Sequence, residues 1–228
     1  MSMIKATPWD EAAFGMHTAE VVEYSEAALR EAAQTPGHYT IKVDPLADKQ
    51  LLHKYGFYYC DTLLEPYCTA QKLQQLSQPE ATVSKQAEWE GLLAICHGAF
   101  AHGRFHRDFN LDQARADLRY DNWLRQLYDK GAVYGLYWNR ELAGFIAHAD
   151  NNLVLHAVAA SQRGKGRAKY WWSAVSGELL AAGHAEVKSS ISAANLAVLN
   201  LYASLGFSFR HPLDVYHCLV QAAPRQSR

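Results

Sequence analysis

From Leu153 to Val158 the chain is largely aliphatic. It then turns small and basic through Ala159-Ala160-Ser161-Gln162-Arg163-Gly164-Lys165-Gly166-Arg167, and from Ala168 the apolar positions Ala168, Trp171, Trp172, Val175 and Leu179 recur at helical spacing. That rhythm predicts a strand, a glycine-bearing loop and a helix ending near Gly183. Upstream, the spacing predicts a helix over Ala27 to Ala33, a strand over Tyr39 to Val43, a helix opened by Pro45 that carries Leu51 and Leu52, a left-handed stop at Gly56 and a strand from Tyr58 to Tyr67. A short strand at Ala81 to Val83 precedes a helix begun by Ser84, with Trp89, Leu92, Leu93, Cys96, Ala99 and Phe100 on its apolar face. Asp112 caps a second helix bearing Tyr120, Trp123, Leu124, Leu127 and Tyr128. Ala132 to Trp138 and Leu142 to His148 read as strands joined by a hairpin at Asn139-Arg140-Glu141. Glu186 to Ile191 is a further strand, Ser192 or Asn195 starts a short helix that Gly206 ends, and Phe207 to Arg210 and Val215 to Val220 are the last two strands.

The polar stretch from Gln71 to Pro79 is the best linker candidate, so the chain is expected to divide into an accessory unit at 1–80, a main α/β domain at 81–221 and a tail at 222–228. Leu52-His53-Lys54-Tyr55-Gly56-Phe57 echoes Ala203-Ser204-Leu205-Gly206-Phe207. The echo fits two readings equally, a first unit that imitates the end of the main domain or two unrelated helix stops.

Composition narrows the function classes. With 228 residues, 49% hydrophobic and 20% charged, the chain can bury a sizeable core. A net charge of -1 gives no general attraction to nucleic acid or to an anionic membrane, so neither is an expected partner and the basic loop is a local feature. No stretch has the length of a signal peptide or a membrane span, which leads to the expectation of a cytoplasmic protein. Cys60, Cys68, Cys96 and Cys218 lack metal-ligand spacing, and His102 and His106 are separated by Gly103 in a loop, so no metal is expected.

At a strand-to-helix corner the first helical N–H groups lack intrahelical acceptors and the helix dipole is positive, which suits a phosphate. Gly164 and Gly166 allow close backbone approach, and Arg163, Lys165 and Arg167 supply charge. The spacing Arg163-x-x-Gly166-x-Ala168 resembles the pyrophosphate loop of the GCN5-related N-acetyltransferases (GNAT superfamily). Asn195-x-Ala197 followed by Tyr202 and Gly206-Phe207 is similar to that superfamily's closing motif, with a small shift in spacing. The element order from about 81 to 221 also matches.

The resemblance implies a GNAT fold, a mixed central sheet flanked by helices, with acetyl-CoA as co-substrate and acetyl transfer to a primary amine by direct attack. It implies a splayed strand whose free N–H groups near Ala157 and Val158 hold the coenzyme arm, with the 163–168 loop and Asn195 completing the site; Asn195 reads equally well as a helix cap. Tyr202 is the expected acid for the departing thiolate. Where family members often carry a glutamate base, this chain has Asn151-Asn152, which leaves His156, His148, Asp150 or water as base, with His156 preferred by its imidazole chemistry.

Ala99-Phe100, Arg104-Phe105 and the Tyr120 to Trp123 helix, together with the unusual N-terminal unit, resemble the dTDP-fucosamine N-acetyltransferases. That resemblance implies a nucleotide-linked amino sugar as acceptor, with Arg104, His106, Arg107, Tyr120 and Trp123 as candidate contacts. The alternatives are an amino acid, peptide or antibiotic amine, or a non-catalytic acetyl-CoA-binding module. A homodimer is compatible with the sequence.

Overall fold

A computed structural model describes residues 2–221, so the expected tail at 222–228 lies outside the described residues. The hairpin at Asn139 and Arg140 shows how local chemistry sets this α/β fold. Both residues take left-handed backbone angles, φ 50° and 70°, the pair a tight turn needs if it is to follow the right-handed twist of the strands β6 (Val133–Trp138) and β7 (Glu141–Ala149).

The chain forms two units. Unit 1 takes the chain up to Leu63, Gly103–Arg119 and the chain from Pro212 onward, and unit 2 takes Leu64–His102 and Tyr120–His211. In unit 1, β1 (Ile4–Ala6) runs antiparallel to β2 (Thr18–Val21), β2 parallel to β3 (Gly37–Val43), and β3 antiparallel to the last part of β11 (Ser208–Val220), with Asp214 opposite Val43 and Val220 opposite Gly37. The helices of this unit are α1 (Pro8–Phe14), α2 (Glu26–Gln34) and α3 (Gln50–Lys54). Its core gathers Ala28, Leu29, Tyr39, Ile41, Leu52 and Phe57.

The sheet of unit 2 runs in the order β4, β9, β8, β7, β6, β5. Here β4 (Tyr58–Cys68) contributes Tyr67 and Cys68 against β9 (Val187–Ser189), and β8 (Asn152–Val158) lies between β9 and β7. The edge strand β5 (Ala81–Ser84) pairs with β6, and the two-residue β10 (Ile191–Ser192) pairs with β4. Helix α4 (Trp89–Cys96) packs on β7 and β8, and α6 (Ala168–Ala181) packs on β5, β9 and α7 (Leu196–Ser204). Helix α5 (Gln113–Asp129) starts in unit 1 and ends in unit 2. Trp171, Trp172, Leu136, Ile146 and Leu153 form the centre of this core, all between 0% and 2% exposed.

The stretch 71–79 is held inside unit 2 and does not behave as a free linker. Gln74 donates its N–H to Leu205 O at 3.0 Å, Ser173 Oγ donates to Gln74 O at 2.9 Å, and Leu76 donates its N–H to Ser173 Oγ at 2.8 Å. Polar composition misled here because the tertiary fold supplies partners for this backbone. The helix expected from Pro45 begins only at Gln50. Asp44 and Asp48 accept the N–H groups of Leu46 and Gln50 at 2.7 and 2.8 Å, and those local bonds hold the intervening chain in turns. Ser84 likewise accepts from Gln86 N, and α4 starts five residues later at Trp89. The last two expected strands are one, Ser208–Val220, which passes through His211 at φ 51°. The elements β1, α1 and β2 have no counterpart in the sequence expectation, since segments this short draw their stability from pairing and packing.

Candidate functional site

Unit 2 contains the strand-to-helix corner that the sequence singles out. Strand β8 pairs with β7 along its length, from Asn152 opposite Ala149 to Val158 opposite Gly144, but it pairs with β9 only at Asn152 and Leu153. Past Leu153 the two parallel strands part. Ala159 turns its N–H to Ala143 O of the β7 side at 2.8 Å, so by strand alternation Val158 and His156 turn their amides to the edge that β9 has left. The result is a wedge bordered by main-chain donors and acceptors; at its mouth Arg163 Nε donates to Val158 O at 2.8 Å.

After a single 3₁₀ turn (Ala160–Gln162), Gly164 and Gly166 adopt φ 73° and 68°, which side chains with a Cβ rarely tolerate. A Cβ built on either glycine meets no atom within 4 Å, so the backbone here faces open space. Residues 163–166 are exposed, Arg167 and Ala168 half-buried. The Arg167 guanidinium lies 4.0 Å from the Trp138 ring centre and also bonds Gln162 Oε1. Helix α6 starts without a side-chain cap, so its first N–H groups, its dipole and the surrounding cations are directed at the same space. These residues fit a pyrophosphate.

Beside the wedge, Tyr202 Oη lies 3.3 Å from His156 Nε2. Tyr202 is fully buried in the unit 2 core, edge-on to Phe207 at 4.8 Å, and His156 is partly buried with Trp172 edge-on at 5.1 Å. Burial pushes the Tyr202 phenol up to about 12, only partly offset by the neighbouring polar groups of Ser189 and Trp172. Burial pushes the His156 imidazole down to about 4. At neutral pH the pair is therefore phenol and neutral imidazole, with one transferable proton between them. Asn195 caps α7 by accepting Val198 N at 3.3 Å. His148 is also depressed by burial and bonds Asp150 O at 3.2 Å.

The expected acceptor residues fall in different places. In unit 1, Arg107 Nη1 pairs with buried Asp61 at 2.8 Å, His106 Nε2 with Asp117 at 2.8 Å, and the Arg104 guanidinium lies 4.7 Å from the Phe105 ring centre. In unit 2, Tyr120 stacks on Phe100 at 4.4 Å and Trp123 is half-buried. Much of the loop's charge is thus already partnered within the chain.

Sequence reasoning missed one group. His38, Asp108 and His217, all buried in unit 1, bring three ligand-type atoms within 4.8 Å of one another. Burial by itself would raise the Asp108 carboxyl, but hydrogen bonds from His217 and His38 outweigh it and hold the group well below the usual carboxylate range. No spacing rule joins residues this far apart in the chain.

No family model matches the sequence, and no curated protein matches it. Solved structures do match in fold. A GCN5-related N-acetyltransferase from Sphaerobacter thermophilus aligns with a TM-score of 0.66 at 11% identity, covering 96% of this chain and 77% of that one. A GNAT-family acetyltransferase, so described without established activity, from Novosphingobium aromaticivorans aligns at 0.57 and 16% identity, covering 98% and 90%. A tandem GNAT protein from the clavulanic acid biosynthesis pathway aligns at 0.55 and 12% identity, covering 90% and 76%. The chain therefore has the GNAT fold. Among the described residues, no helix is long and apolar enough to cross a membrane.

Proposed function

We propose that this chain is an acetyl-CoA-dependent N-acetyltransferase acting on a primary amine of a small molecule. The observation that carries the proposal is the parting of β8 and β9 beside an uncapped helix start with two left-handed glycines, all in unit 2. In this reading the 163–168 loop binds the pyrophosphate of the co-substrate, and the His156 and Val158 amides hold its arm and the thioester oxygen, in place of the expected Ala157 amide, which turns toward β7. The co-substrate supplies an activated acetyl group, and the chain's own residues position it and manage protons.

Tyr202, being fully enclosed, acts through the neighbour it bonds. The imidazole of His156 is the member of the pair on the wedge strand, and Tyr202 fixes its orientation and keeps a proton available at Oη. His156 is the proposed proton carrier between incoming amine and departing thiol. Thiol release from acetyl-CoA with a panel of amines tests the activity, and no release above buffer with any amine overturns it.

For the acceptor we propose a nucleotide-linked amino sugar. This rests on the spacing of Ala99-Phe100, Arg104-Phe105 and Tyr120 to Trp123 and on the aromatic faces present, such as the stacked Phe100 and Tyr120. A second reading, an amino acid, peptide or antibiotic amine, is favoured by the pairing of Arg107 with Asp61 and His106 with Asp117, which reduces the charge left for a diphosphate. Acetylated products of a mixed acceptor pool, identified by mass spectrometry, separate the two.

A further inference from the structure

Asp108 collects an unusual set of partners for a carboxylate in an apolar surrounding. Its Oδ2 lies 2.8 Å from His217 Nδ1, 3.1 Å from His38 Nε2 and 2.9 Å from Tyr58 Oη, while its Oδ1 accepts Asn110 N at 3.0 Å and Asn110 Nδ2 at 3.1 Å. His38, Asp108 and His217 are 2%, 1% and 0% exposed. The His38 and His217 rings meet edge to face at 4.6 Å, with Phe14 and Phe105 packed around them. The other nitrogen of His217, Nε2, is buried without a hydrogen-bond partner among the described residues.

We propose that unit 1 binds one borderline divalent cation, with Zn²⁺ as the best fit, through His38 Nε2, His217 Nδ1 and Asp108 Oδ2, with Tyr58 Oη at the fourth corner. Two imidazoles, a carboxylate and a phenol form a nitrogen and oxygen donor set suited to such ions. Donors at tetrahedral corners around Zn²⁺ stand about 3.3 Å apart, given metal-to-donor distances of about 2.0–2.1 Å. The distances around Oδ2 are a few tenths of an ångström shorter and the three ligand atoms lie within 4.8 Å of one another, so binding requires the side chains to re-space around a shared central point.

Both imidazoles can present a lone pair to the ion by moving their proton to the far nitrogen. For His217 the change gives up the Nδ1 bond to Asp108, which the ion replaces, and places the proton on Nε2, where no other bond has to be broken. Asn110 already supplies the outer contacts that orient a ligating carboxylate. The three proposed ligands come from β3, from the segment after Gly103 and from β11, so a bound ion would fasten the early, middle and late parts of the chain within unit 1.

The test uses the full chain, stripped with a chelator and then equilibrated with Zn²⁺ or, for visible spectroscopy, Co²⁺. The expected result is one equivalent of Zn²⁺ retained through gel filtration, four-coordinate Co²⁺ bands and a higher thermal midpoint. His38→Gln and His217→Gln should each abolish retention while keeping the far-UV circular dichroism of the parent. Failure of the parent chain to retain metal overturns the proposal, as does unchanged retention in both variants, which would place the ion on other histidines. Should a variant fail to fold, imidazole nitrogen resonances of the parent chain decide. Zn²⁺ must shift those of His38 and His217, and shifts confined to other histidines overturn the site.

Discussion

Two strand-to-helix corners, one in each unit, follow the same local plan and differ in what they leave open. In unit 1, β2 ends at Val21 and α2 begins at Glu26; Ser25 accepts Ala28 N, and Glu23 and Glu26 place negative charge at the helix start. In unit 2, β8 ends at Val158 and α6 begins at Ala168 with no side-chain cap, two left-handed glycines and three cations. The first corner satisfies its own helix and repels an anion. The second leaves its donors to a ligand. A shared succession of strand, helix and strand therefore does not make both units binding sites, and the difference lies in a handful of residues at one turn.

The largest effect that would sharpen this contrast is catalytic. His156→Ala is expected to lower kcat by about 10²- to 10⁴-fold, the range for losing a positioned proton carrier. Tyr202→Phe should cost less, about tenfold, and should act through a changed pH profile if Tyr202 orients His156 as proposed. Steady-state kinetics with an active acceptor would show this, and an unchanged rate in His156→Ala removes the assigned role.

Next comes the loop. Gly166→Val forces a β-branched residue into a left-handed backbone and should raise KM for acetyl-CoA at least tenfold. At the other corner, Ser25→Ala should cost about 1 kcal/mol of stability through the lost cap and leave that KM unchanged. If both substitutions change coenzyme affinity equally, the contrast between the corners fails.

The smallest effect concerns pH. An imidazole in an unfolded chain titrates near 6.5, whereas His156 in the fold is pushed down to about 4. Between these values the unfolded chain takes up a proton that the folded chain does not, so folding stability drops as pH falls from about 6.5 toward 4. His156→Gln lacks this contribution, and its stability relative to the parent chain should improve across that window. Calorimetry at several pH values would show it, and a constant difference would mean that His156 is not held neutral by the fold.

Much of both units is legible in the sequence where elements are long or punctuated. The hairpin at Asn139-Arg140, the Asp112 cap, which accepts Ala114 N at 2.8 Å, and the left-handed stops at Gly56 and Gly206 are local chemistry acting on local backbone. The strand-to-helix corner at 158–168 is legible for the same reason, since strand, glycines, cations and helix are contiguous. The first 25 residues are not legible, because strands of three and four residues exist only through their neighbours. The acceptor residues also fall short of their sequence reading. Asp61 and Asp117, which claim Arg107 and His106, give no sign in the sequence that they will do so.

By itself, the sequence determined most of the order of elements in unit 2 and the place of the glycine-bearing basic turn, since both follow from periodicity, glycine conformation and charge within short windows. Only the tertiary structure decided where β8 leaves β9, that Tyr202 is sealed against His156, and that His38, Asp108 and His217 meet. Each of these depends on which distant segments share a core, and a burial or a pairing between residues far apart in the chain leaves no trace in local spacing.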